Sequence, residues 1–201
     1  MPNQDSTFKE RFDHLIKVIA SNDFLSMKTV GNEIPFFIFP FNTNETDEIK
    51  KFRRNLINKV SEKGVSVLDI DLYSVCLEIL KERNIMNELI ENEASIPKDA
   101  FRQQLQSVLQ TQKHIIPKVS EKMESTKHDT MFLSGIGELF PIVKAENFLN
   151  NLHKIAYSRP TVIFFPGNFS ETVTMSASLD LFGILKDDNY YRAFNILHFE
   201  V

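Results

Sequence analysis

The stretch "IPFFIFPF", Ile34 to Phe41, decides the fold. It is apolar at every position, so it has no polar face to turn toward water. A run this short, without alternation and preceded by Gly31-Asn32, reads as a strand buried on both sides in a parallel sheet. From Asn44 onward the chain becomes charged, and Ile49, Phe52, Leu56, Ile57 and Val60 form an apolar stripe at helical spacing that stops at Gly64. "VSVLDIDLY", Val65 to Tyr73, follows as a second buried strand. Strand, helix and strand in this order form a βαβ unit with a right-handed crossover. Upstream, Thr7 to Ala20 places Phe8, Phe12, Leu15, Ile16 and Ile19 on one helical face. Ser6 or Thr7 serves as its N-cap, with an acid three residues on completing a capping box.

Downstream, the spacing predicts two polar-rich helices, Tyr73 to Asn92 and Lys98 to Lys127. Pro117 should break the second near Ile116, because proline removes a backbone donor and clashes with the preceding turn. Residues 92–128 read as a helical insertion whose charge and glutamine content suit a solvated face first and a partner-docking face second. The α/β pattern then returns: "TMFLS" as a strand, Ala145 to Tyr157 as a helix, "PTVIFFPG" as a further strand. Pro35 to Pro40 and Pro160 to Pro166 echo one another as apolar strands bracketed by prolines, two solutions to the same burial problem. Asn168 to Ser178, rich in Ser and Thr, is expected as a loop, and Ala193 to Phe199 as the closing strand. Residues 1–201 are expected to form a single α/β domain. Its architecture should be three-layered and Rossmann-like, a degenerate relative of the P-loop fold with about five mostly parallel strands.

The composition narrows the function. Hydrophobic content of 42% and charged content of 25% over 201 residues describe a globular chain. Eighteen phenylalanines and no tryptophan point to a core packed by rings that carry no polar atom. A net charge of −4 argues against solitary binding to duplex DNA, which normally needs a basic surplus. The lone Cys76 cannot form an internal disulfide and sits in the apolar run "LYSVCLEIL", where it reads as a buried hydrophobe. The N-terminal stretch lacks the basic and apolar blocks of a secretion signal, and no apolar run approaches the roughly 20 residues of a membrane span. The expectation is a cytoplasmic protein with no membrane partner.

Several patterns carry candidate chemistry. "FLSGIGELFP", Phe132 to Pro141, runs a strand into Gly135-x-Gly137, the kind of turn that lets backbone amides approach phosphate at a helix N-terminus. A phosphate loop also needs lysine and a hydroxyl after the second glycine, and Glu138-Leu139 stand there instead. Gly135, Gly137, Glu138 and Pro141 therefore read as a structural turn, with Phe140 packing and Pro141 steering entry to the next helix. Asp69, Asp71, Glu138 and Asp188 gather near expected strand ends, where an open α/β sheet faces its ligand. They could hold Mg²⁺ for an enzyme acting on nucleotides or DNA, while Asp69 and Asp71 equally suit capping of the helix that follows. Five scattered histidines and one cysteine offer no zinc spacing, and no cofactor is called for. Tyr190, Tyr191 and Arg192 are residue types that anchor protein interfaces, and the alternative is a turn with the tyrosines packed on the sheet. Lys50, Lys51, Arg53 and Arg54 form the densest basic cluster, a solvated helix surface or a weak nucleic-acid patch.

Taken together, "GNEIPFFIF", "FLSGIGELFPIVKAENFLNNLH", "RPTVIFFPG" and "LFGILKDDNYYRAFNI" resemble the BrxB family of bacterial BREX phage-exclusion systems. The likeness spans from about Phe8 to the C-terminus, and Lys144-Ala145 departs from the arginine and polar residue more usual there. The resemblance implies a component of a multi-protein antiviral defence complex that methylates host DNA and blocks replication of phage DNA. It carries over no catalytic residues. It implies a non-enzymatic adaptor that contacts PglZ, the alkaline-phosphatase-like component, and other BREX components. DNA would then be reached only indirectly, through the complex.

Overall fold

The computed structural model describes residues 2–27, 36–171, 177–182, 185–186 and 193–201. Its packing groups the chain into two compact units, Met1–Asp69 with Lys127–Leu133 and Ala156–Val201, and Ile70–Thr126 with Ser134–Ile155.

The first unit carries the sheet. Helix α1 (Phe8–Ile19) opens with the expected capping box: Thr7 accepts from the Glu10 amide and the Glu10 carboxylate accepts from the Thr7 amide. A one-turn helix, α2 (Asn22–Leu25), follows it. Strand β1 is Phe36–Phe41, every residue of it buried, and helix α3 is Thr46–Ser61. The other strands are β2 (Val67–Asp71), β3 (Thr130–Ser134), β4 (Thr161–Glu171), β5 (Ala177–Leu181), β6 (Leu185–Lys186) and β7 (Phe194–Asn195). The order β2-β3-β4-β1-β7 makes a parallel sheet of five strands, and β5 and β6 extend β4 as antiparallel partners. The two proline-bracketed strands lie side by side: β1 pairs with β4 from Phe36↔Thr161 to Phe41↔Pro166. Strand β7 reaches only Phe37 and Ile38. Pro40 thus stands where β1 has a single paired neighbour, a place that tolerates a missing donor.

Alternation along these strands sets the core. Phe37, Phe39, Phe132, Val162 and Phe164 cluster with Leu15, Val18 and Ile19 of α1 and Ile49, Phe52, Leu56 and Val60 of α3. The rings interlock: Phe39 stacks on Phe52 at 5.4 Å and meets Phe164 at 5.5 Å, and Phe164 meets Phe132 edge-on at 5.5 Å. Ile38, Ile163, Phe165, Met131 and Leu133 alternate to the other face and are buried as well. That is why the sequence shows continuous apolar runs here and not alternation.

The second unit is helical: α4 (Leu72–Glu82), α5 (Met86–Glu93), α6 (Lys98–Val108), a π-helical turn (Thr111–Ile115), α7 (Ile116–Ser125) and α8 (Ala145–Leu152). The π turn packs against α4, α7 and α8. The helix expected from Lys98 to Lys127 is interrupted after Val108, and Pro117 lies in the first turn of α7, directly after the π turn.

Five expectations need correction. Strand β2 is not buried on both faces; it ends the strand order, and its residues alternate, with Asp69 outward. It also does not neighbour β1, because β3 and β4 lie between them. The helix expected from Tyr73 to Asn92 is two helices. Asn84 takes φ +57°, the Asn84 amide donates to Lys81 C=O and the Ile85 amide donates to Leu80 C=O, which closes α4 in a Schellman turn. Residues expected as a loop after Asn168 continue β4 to Glu171 and return as β5. The closing strand is only Phe194–Asn195, because the Asn195 side chain accepts from the Leu197 amide and starts a 3₁₀ turn, Ile196–His198.

Candidate functional site

The glycine turn connects β3 to the second unit. Gly135 takes φ +80°, and a Cβ there would overlap Asp71 Oδ1 and come within 2.9 Å of the Tyr73 amide nitrogen. The glycine is therefore demanded by the approach of this turn to the first residues of α4. No helix follows directly: α8 begins only at Ala145, so the amides after Gly137 do not form a helix N-terminus that could cradle phosphate. Ile136, Leu139 and Val143 anchor the turn by burial, Glu138 faces solvent, and Phe140 is 41% exposed. The Phe140–Pro141 peptide is cis.

The carboxylates grouped by sequence have separate occupations. Asp69 pairs with Arg53, Oδ1 to Nε 3.3 Å. Asp71 accepts the Ser74 hydroxyl at 2.7 Å. Glu138 is exposed, and Asp188 lies outside the described residues, as do Tyr190, Tyr191 and Arg192. Among the described residues no group of three or more His, Cys, Asp and Glu is placed to hold a metal ion. The basic cluster is divided too, since Arg53 turns to Asp69 while Lys51 and Arg54 face solvent. Cys76 is buried, and that burial, with the Asp71 charge adding, pushes its thiol up to about 12, far from a nucleophile's range.

The feature that sequence reasoning missed is an open cleft of about 450 Å³ in the second unit. Gln106, Gln110, Thr111, Lys113, Lys144 and Asn147 supply its polar wall, with Leu109 and Ile142 beneath. The Gln106 side-chain amide donates to Pro141 C=O at 2.9 Å, which ties the end of α6 to the turn before α8. The signal was the glutamine-rich run before Lys113, which by composition alone reads as a solvated helix face.

These observations define a parallel α/β protein whose glycine turn is a packing device and whose carboxylates do not converge among the described residues. The chain belongs to the BrxB family: the family model described as BREX protein BrxB matches residues 68–196. A relative called BREX protein BrxB from Bacillus cereus (strain H3081.97) is 31% identical over 192 residues, which is 94% of this chain and 96% of that one. Another of the same name from Escherichia coli O9:H4 (strain HS) is 24% identical over 193 residues, 96% of this chain and 93% of that one. No solved structure matches. Among the described residues no helix is long and apolar enough to cross a membrane.

Proposed function

We propose that this chain serves BREX phage exclusion as a non-enzymatic adaptor that docks another subunit, the PglZ-like component first among them. Family membership across nearly the whole chain supports the pathway. The observation that carries docking is α6. Phe101, Leu105 and Val108 recur at helical spacing along it, yet none of its residues is buried. On neighbouring α5, only Leu89 is buried and Ile90 is 61% exposed. An apolar stripe left half-covered on a helical hairpin is the surface a partner helix or groove would bury. The lysines and glutamines around it would form the polar rim.

Affinity purification from cells expressing the whole native operon tests this reading. The PglZ-like protein should co-purify with the wild type and be lost with F101E/L105E. Failure of the wild type to retain it would overturn the adaptor reading. Equal retention by the variant would move the interface elsewhere, with the Tyr190–Arg192 segment as the next surface to alter.

A further inference from the structure

The cleft of the second unit has a chemistry that the docking reading does not use. We propose that it binds a small phosphate-bearing ligand of nucleotide size, with Lys113 and Lys144 on the phosphate and the side-chain amides of Gln106, Gln110 and Asn147 on the polar remainder. None of its lining residues is acidic, in a chain whose net charge is −4. Among the described residues neither lysine has an acidic partner, and both are exposed at the rim. The volume of about 450 Å³ lies within the usual range for small-molecule sites.

Two further groups adjoin the same space, and Asn147 keeps its donor for it. Thr111 is only 7% exposed, lines the cleft, and no hydrogen bond holds its hydroxyl. Its oxygen still reaches the open cleft, so a ligand can donate to it or accept from it. The N-cap of α8 is Lys144, whose side chain gives the first-turn amides no acceptor, so an anion beside Lys144 and Asn147 would meet the positive end of that helix. The Asn147 side-chain oxygen is taken by Asn151, leaving its NH₂ group to donate outward. Thr111 and Lys113 reach the cleft from the π turn, a geometry that recurs at functional sites because it re-aims successive side chains.

The test is calorimetric titration of the full chain with inorganic phosphate, adenosine 5′-monophosphate and adenosine, at low and at physiological salt. The nucleotide should bind saturably and more tightly than phosphate, adenosine should not bind, and salt should weaken the complex. K113Q/K144Q should weaken nucleotide binding by about tenfold or more while leaving the urea midpoint unchanged, since both side chains are exposed. T111V, which keeps the shape and removes the unpartnered hydroxyl, should weaken binding with no loss of stability. No saturable heat with the nucleotide, equal binding of adenosine, or binding indifferent to K113Q/K144Q would each overturn the site. None of these outcomes depends on whether a protein partner docks at α6.

Discussion

Gly135 sits so close to Asp71 that its α-hydrogen occupies the space a side chain would need, with the Tyr73 amide nitrogen 2.9 Å from where a Cβ would be. The end of β3 and the start of α4 can meet only because that position has no side chain. Gly135→Ala combines the left-handed backbone cost, about 1–2 kcal/mol, with overlap against backbone that cannot step aside, about 1–3 kcal/mol more. Gly64 takes φ +86° with nothing within 4 Å of a Cβ, so Gly64→Ala carries only the first cost. Urea unfolding of the two variants should rank G135A well below G64A. Equal losses would show that the contact with α4 is not what fixes the glycine.

Arg11 is 1% exposed, and its guanidinium donates to both oxygens of Glu45, at 2.6 and 3.2 Å, while lying 4.5 Å from the Phe8 ring centre. Removing the carboxylate strands a buried cation, so Glu45→Ala should cost about 3–5 kcal/mol. Arg11→Met replaces the cation by an apolar chain among phenylalanines and leaves the partly exposed Glu45 with the Asn42 amide as donor, so it should cost clearly less. The double change R11M/E45A should be more stable than E45A alone. A double-mutant cycle by urea unfolding measures this, and R11M proving as damaging as E45A would contradict it.

How much of this was legible follows from the range of each interaction. "IPFFIFPF" declares its burial locally, and the echo between Pro35–Pro40 and Pro160–Pro166 marked two strands that prove to be neighbours. The capping box at Thr7 was legible for the same reason, since both its bonds lie within one turn. Asn84 was missed because left-handed asparagine is optional, and nothing nearby in sequence distinguishes it from a helical asparagine. Gly135 and Asp71 illustrate the opposite limit: each was noticed, but the contact that explains the glycine joins residues far apart in sequence. The cleft is of that kind too, since Lys113 and Lys144 line one space only after the π turn and the turn before α8 are in place.

Acid should weaken the fold in two separable steps. Burial holds the His14 imidazole below its ordinary value, with Lys17 and His198 opposing its charge further, so the folded state favours the neutral ring. The unfolded chain takes up that proton near pH 6.5 and the folded one only lower. The stability this contributes is complete above about pH 6.5 and is lost as pH falls through the folded value. Asp129 is held below the usual carboxylate range by the Ser66 hydroxyl and amide, so its contribution is complete above about pH 4 and disappears lower still. Urea midpoints should fall less steeply below about pH 6.5 in His14→Gln, and below about pH 4 in Ser66→Ala. An unchanged slope in H14Q would mean that the ring is not held neutral by the fold.

Cys76 offers a direct readout of whether the helical unit is closed. Its thiol is 2% exposed on α4, and burial with the Asp71 charge raises it to about 12. Only the thiolate attacks a disulfide reagent, so at about pH 8 the native protein should react at least 1000-fold more slowly than a free thiol, before steric exclusion is counted. In denaturant the same cysteine should react at the ordinary rate. Because Asp71 adds to the shift, Asp71→Asn should speed labelling modestly, whereas a variant that opens α4, such as Gly135→Ala, should speed it far more by exposing the sulfur. Labelling kinetics with a thiol-reactive chromophore separate these cases. Native labelling within about tenfold of the unfolded rate would show that α4 opens readily and that Cys76 is not held in a closed core.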